Sequence, residues 1–161
     1  MTTRRSAGIL LYRRRGGSLE VLLGHPGGPF FGRKDLGSWS IPKGEPGPEE
    51  TDLAATARRE FEEETGHPVP DGPLIDLGTV TQRGGKVVHA WAAEGNLDPA
   101  QARSNTFSFE WPPFSGKVRT YPEIDRVEWF EPAEARRRIK QAQIPLVGRL
   151  EAALTGREAG R

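Results

Sequence analysis

GEPGPEETDLAATARREFEEETG, residues 44–66, is the stretch whose reading decides the fold. Its end, from Arg59 to Gly66, sets four carboxylates within five residues. Ala54, Ala55 and Ala57, with Leu53 and Phe61, favour a helix, and Gly66 followed by His67-Pro68 supplies its stop. Pro48 suits a first helical position, and Thr51 is the rival cap, although Ala54 leaves its capping box incomplete. At about 100° per residue, Glu60, Glu63 and Glu64 share one face, beside an apolar stripe of Leu53, Ala57 and Phe61. Glu62 lies elsewhere and is expected to pair with Arg58, while Arg59 can reach Glu63.

As plain structure this is a poor arrangement of charge. The C-terminal turn of a helix is already negative, so each carboxylate there costs about 0.3–1 kcal/mol. The Glu60/Glu64 pair at i,i+4 adds repulsion. A solvated acidic helix end is the ordinary reading of such a run. A hard divalent cation with oxygen ligands and retained waters is the alternative, and it compensates far more.

The segment resembles the Nudix hydrolase signature, Gly-x5-Glu-x7-Arg-Glu-apolar-x-Glu-Glu-x-Gly. Arg59, Glu60, Phe61, Glu63, Glu64 and Gly66 fill that pattern, with His67 where an apolar residue is usual. Gly44 and Glu50 keep the x5 spacing, but eight residues separate Glu50 from Arg59. We place the extra residue in the Gly-Pro loop, because an insertion inside the helix would rotate one face against the other. The departure leaves the structural role of Glu50 open. The resemblance implies a mixed α+β domain, an α/β/α sandwich around a mixed sheet. It also implies that Glu60, Glu63 and Glu64 bind Mg²⁺, with Mn²⁺ as the substitute. Arg59 then holds the carboxylates in register, and Glu60 and Glu63 serve catalysis. A further carboxylate from outside the helix is expected, for which Glu110 is the first choice and Glu94, Glu123 and Glu131 are rivals.

Residues 39–44 (WSIPKG) lead into this segment and resemble members acting on dinucleoside polyphosphates, diphosphoinositols or related phosphoanhydrides. Lys43 is a candidate phosphate contact, and Gly44 lets the backbone approach a ligand. Arg33 and Lys34, in the long loop before it, are further candidates, and Lys86 adds a fourth cation. An ordinary surface lysine or arginine is the competing reading for each.

The chain has 161 residues, 23 basic against 22 acidic side chains, and a formal net charge of +1. That length suits one domain over residues 1–161. The charge balance argues against a nucleic-acid coat or a polybasic membrane binder. With no cysteine, disulfides, thiolate metal sites and a Cys nucleophile are excluded. The longest apolar run, residues 7–12, is far too short for a membrane span. A soluble, cytoplasmic protein with no membrane and no stable nucleic-acid partner is expected, its oligomeric state open.

Strands are expected at residues 6–13 and 19–24 around a basic Gly-rich turn, at 74–82 and 86–93 around Arg83-Gly84-Gly85, and at 123–130. The strand at 86–93, apolar on both faces, should be central, with His89 a hydrogen-bonded core residue. Phe107, Phe109 and Trp111 alternate with Ser108 and Glu110, which reads as an aromatic core face for at least two of the rings. In the functional reading Trp111 or Phe114 stacks on a nucleobase. Helices follow at 133–141 and 145–154, with 155–161 frayed.

Together these features imply hydrolysis of a phosphoanhydride in a nucleoside diphosphate linked to X, with nucleoside triphosphates or dinucleoside polyphosphates first. Nucleotide sugars, ADP-ribose or an RNA 5′ end are the alternatives, as is a Nudix-like module that binds nucleotide without turnover.

Overall fold

The computed structural model describes residues 4–31 and 34–159. β1 (Arg5–Arg15) alternates its apolar side chains between two faces, so that Ala7, Ile9 and Leu11 enter one core cluster while Leu10 and Tyr12 enter the other. Gly16 and Gly17, both at positive φ, turn the chain into the antiparallel β2 (Ser18–Pro26), with Arg15 opposite Ser18. β3 (Lys43–Gly44) is a two-residue strand against Ala7 and Gly8. Then come α1 (Leu53–Thr65), β4 (Ile75–Thr81) and β5 (Val87–Glu94). β6 (Thr106–Glu110) and β7 (Val118–Pro122) precede β8 (Ile124–Phe130), α2 (Pro132–Arg138) and α3 (Ile144–Ala159).

The main sheet runs β4-β5-β1-β2-β8, with β3 added against β1. β1 and β5 are parallel and the other pairs antiparallel, which makes the sheet mixed. Ala57 and Phe61 of α1 pack on the Ala7–Ile9–Leu11 face. On the opposite face, Leu146, Leu150 and Leu154 of α3 and Ala135 of α2 pack against Leu10, Val88 and Ala90. The expected α/β/α sandwich is therefore present, and β5 is interior as expected. Among the described residues no helix is long and apolar enough to cross a membrane.

Several local expectations are corrected. Phe107, Phe109 and Trp111 lie outside both core clusters and are only half-buried. β6 pairs with β7 in its own two-stranded sheet, an arm standing off the main sheet. The edge of Phe30 covers the arm, its ring 5.3 Å from Phe109 and 5.1 Å from Trp111. β7 (VRTYP) had no apolar alternation to announce it. Arg58 does not pair with Glu62 but donates to the Gly72 carbonyl. α2 ends at Arg138 rather than at 141, because Ile139 is extended and buried. The helix begun near 145 runs from Ile144 through to Ala159, so residues 155–159 continue it rather than fray. His89 is hydrogen-bonded, 2.7 Å from Asp76, but it stacks on Trp91 at a half-exposed site rather than in the core.

Phe61 is fully buried between α1 and the sheet. Phe61→Ala should destabilise the fold by about 3–5 kcal/mol in chemical denaturation, and a loss under about 1 kcal/mol would show that α1 does not anchor this face.

Candidate active site

Asp52 opens α1: its backbone is extended and its carboxylate accepts from the Ala54 N–H at 3.0 Å. Neither Pro48 nor Thr51 caps the helix. Residues 47–50 form a separate turn, in which the Glu50 N–H donates to the Gly47 carbonyl and the Gly47 N–H donates to Glu50 Oε1 at 2.7 Å. That turn aims Glu50 back at the helix. At the other end, the Gly66 N–H closes on the Glu62 carbonyl, with φ 78°, a conformation that favours glycine.

Arg59 is the hub. Its Nε and Nη2 donate to the two oxygens of Glu50 at 2.8 and 2.7 Å, a bidentate pair. Its Nη1 donates to Glu60 Oε1 and to Glu63 Oε1, each at 3.0 Å. Nη2 also reaches the Glu45 carbonyl at 3.1 Å. The Arg59 hydrogen bonds and the Gly47 N–H pull the Glu50 carboxyl down to about 2, and Glu50 in turn holds the guanidinium above its ordinary value.

The remaining acids carry charge without equal compensation. Burial pushes the Glu60 carboxyl up, against the pull of Arg59. Glu64 accepts from the Lys43 backbone N–H at 2.9 Å. Burial nevertheless pushes its carboxyl up to about 8, with Glu60 and Glu123 adding repulsion. Gly44 passes so close to Glu60 that a Cβ there would lie 2.1 Å from the Glu60 carboxyl carbon. Glycine is needed here for approach to a protein carboxylate.

The sequence-predicted residues are thus brought together in part. Glu60, Glu63 and Glu64 share one helix edge, but Glu60 and Glu63 turn to Arg59 while Glu64 turns to β3. Among the described residues no three His, Asp or Glu side chains are gathered closely enough to hold a metal ion. The donor chemistry nevertheless fits a hard cation: all the groups are carboxylate oxygens, and the raised Glu60 and Glu64 mark negative charge that a cation would relieve. Lys43 lies beside them, its ammonium lowered to about 8 by burial and then by Lys140 and Lys86.

Other candidates lie apart. Glu110 accepts from the Phe114 N–H at 2.9 Å in the arm's end loop, about 13 Å along β6 from Thr106 at ~3.3 Å per residue. Trp111 sits on the same arm, against Phe30. The Lys34 ammonium lies 5.5 Å from the Phe31 ring, in the exposed loop, and Arg33 is outside the described residues. Glu123, only a rival in sequence, lies near enough to Glu64 to raise it. The Glu123 N–H donates to the Asn105 carbonyl and the Asn105 N–H to the Glu63 carbonyl, so backbone pairing ties this segment to the end of α1. No sequence signal marks that pairing. Lys140 was not singled out, because it falls in the expected helix at 133–141, whose basic side reads as solvated.

The NUDIX domain family model matches residues 2–150. In structure the chain is similar to the NUDIX domain of Shewanella oneidensis NrtR complexed with ADP ribose, at TM-score 0.68 and 18% identity over 96% of this chain and 90% of that one. It is similar to a C. elegans Ap4A hydrolase in a binary complex, at TM-score 0.63 and 23% identity over 96% and 99%. A mutT/nudix family protein from Listeria innocua matches over 100% of both chains, at TM-score 0.64 and 17% identity. No curated protein matches the chain in sequence.

Glu64 predicts a pH dependence. Its folded value of about 8 lies above the ordinary 4.5, so across that window the fold keeps it neutral while the unfolded chain ionises it. Stability contributed by this group is therefore complete below the ordinary value and is lost as pH rises toward the folded one. Without divalent cation, Glu64→Gln should be more stable than wild type by about 4 kcal/mol at pH 8 and equal to it near pH 4. Denaturant melts at both pH values check this, and a difference independent of pH would refute it.

Proposed function

The chain belongs to the NUDIX domain family, and on that premise we propose that, as one domain, it is a pyrophosphohydrolase that cleaves a phosphoanhydride bond of a nucleoside diphosphate linked to X. Nucleoside triphosphates and dinucleoside polyphosphates rank first. The observation that carries this reading is the placement of Glu60, Glu63 and Glu64 along one helix edge beside the Arg59 hub, with burial raising Glu60 and Glu64.

The chemistry needed is addition of a water oxygen to phosphorus, cleavage of the bridging P–O bond and removal of the water's proton. Phosphate oxygens are anionic and repel a nucleophile, so positioning and charge neutralisation carry most of the work. Glu60, Glu63 and Glu64 would hold Mg²⁺, or Mn²⁺, which when bound supplies neutralisation of those oxygens and activation of water. Arg59 is a positioning residue: its grip on Glu50 fixes where Glu60 and Glu63 begin. The proton acceptor from outside the helix is better sought at Glu123, coupled to Glu64, than at Glu110, which is engaged at the far end of the arm. Lys43 and Gly44 border the acids and are the first phosphate contacts. Lys34 belongs to a loop from which a long substrate could be reached. Trp111, backed by Phe30, offers a ring for base stacking.

Support for the substrate class comes from the structural neighbours, one an Ap4A hydrolase and one a domain that holds ADP ribose. Long phosphate chains rank above nucleotide sugars because Lys43 lies with two further lysines.

A panel of nucleoside triphosphates, dinucleoside polyphosphates, ADP-ribose and nucleotide sugars, assayed with Mg²⁺ and product identification, tests the assignment. Glu63→Gln should fold as wild type and lose roughly 100-fold or more in kcat. Full Mg²⁺-dependent activity in that variant, or tight nucleotide binding with no turnover in wild type, would overturn these residue roles.

A further inference from the structure

Lys43, Lys86 and Lys140 are distant in sequence but belong to segments that one buried amide ties together. Gln143 is fully buried. Its Oε1 accepts from the Ile41 N–H at 3.1 Å, and its Nε2 donates to Ser40 Oγ at 2.9 Å and Gln82 Oε1 at 2.8 Å. The Gln82 N–H donates to the Lys86 carbonyl, and the Lys140 N–H to the Trp39 carbonyl, both at 2.8 Å. The segment before β3, the β4–β5 turn and the chain after α2 are therefore pinned at one place.

Lys43 leaves the sheet on the face opposite Gly44, while Glu64 still attracts both Lys43 and Lys140. Gly8 opposes Lys43, and a Cβ on Gly8 would lie 2.8 Å from the Lys43 Cβ. Lys43 thus projects on the face of Ser6, Gly8 and Leu10, whereas Gly44 faces Glu60. All three lysines are half-buried. Among the described residues none forms an ion pair within 4.0 Å. Burial and Lys86 also hold the Lys140 ammonium below its ordinary value.

A second observation falls at the same place. The Ser6 hydroxyl is fully buried and has no hydrogen-bond partner. Ser6 opposes Val88, two residues along from Lys86, and lies two residues along β1 from Gly8. A buried hydroxyl without a partner costs about 1–3 kcal/mol, and half-buried ammonium groups with no carboxylate in ion-pair contact repel one another. One polyanion would satisfy all four groups, since an ammonium is a compact point-charge donor to phosphate.

We infer that Lys43, Lys86 and Lys140, with the Ser6 hydroxyl, form a subsite for the phosphates beyond the one attacked at the acidic helix, and that Lys140 sets the preference for substrates with three or more consecutive phosphates. This rests on the hydrolase reading above. β3 joins the two parts: Gly44 meets Glu60, and Lys43, whose N–H donates to Glu64, projects among the ammonium groups.

The test is calorimetric binding of inorganic tripolyphosphate and pyrophosphate to the full chain without metal, using wild type, Lys140→Ala and Lys140→Arg. Lys140→Ala should weaken tripolyphosphate binding roughly 10-fold and pyrophosphate binding less than about twofold, with the melting temperature unchanged. Lys140→Arg keeps the charge and should recover most of the affinity. In turnover, Lys140→Ala should raise KM for long-chain substrates with kcat nearly unchanged. Equal tripolyphosphate affinity in wild type and Lys140→Ala overturns the inference even if the protein is an active hydrolase. Lys140-dependent tripolyphosphate binding by a protein that hydrolyses nothing would uphold the subsite and overturn only the hydrolase reading. Should Lys140→Ala fold poorly, Lys140→Met, which keeps the apolar stem, must show the same loss.

Discussion

The Arg59 guanidinium sets Glu50, Glu60 and Glu63 around its three nitrogens at 2.7–3.0 Å, and the loop ahead of α1 and the helix itself are held in relation by that contact. The planar fork explains why this position takes arginine: two parallel bonds to Glu50 leave one nitrogen free to bridge the two acids on the helix. A lysine offers a point charge and no such geometry. The turn at residues 47–50, closed by the Gly47 N–H on Glu50, presents the carboxylate at the right place despite the longer loop.

Charge then sorts across a single two-residue strand. Successive residues of a strand point to opposite faces, so Gly44 meets Glu60 while Lys43 projects among other cations. The Glu60 and Glu64 carboxyls are raised by burial and the Lys43 ammonium is lowered by it. Such a distribution lowers the stability of the isolated fold, and it is a common mark of a site shaped for a charged ligand. In the proposed function both imbalances would be relieved by the same kind of molecule, a polyphosphate accompanied by a divalent cation.

The β6–β7 arm shows a different division of labour. Its aromatic residues alternate as a core strand would, yet they are only half-buried, and Phe30 from the loop after β2 completes their packing. The arm leaves the body beside the end of α1, through the Asn105–Glu63 and Glu123–Asn105 backbone bonds. A ring cluster is thereby anchored to the acidic helix without belonging to the core.

Local patterns sufficed for much of this. Apolar runs of strand length beside glycine turns marked β1, β2 and β5, the alanine-rich run marked α1, and the Arg59–Gly66 spacing identified the family and the acidic face, because each of these signals lies within one element. Other features were decided by contacts between segments far apart in the chain: Asp52 as the cap, the return of Glu50 to Arg59, the arm as a separate sheet, Glu123 beside Glu64, and Lys140 with Lys43 and Lys86. Their physical reason is common to all. Backbone pairing and the buried Gln143 amide bring together residues whose local sequence carries no periodicity, and only the closed fold sets the burial that shifts their charge.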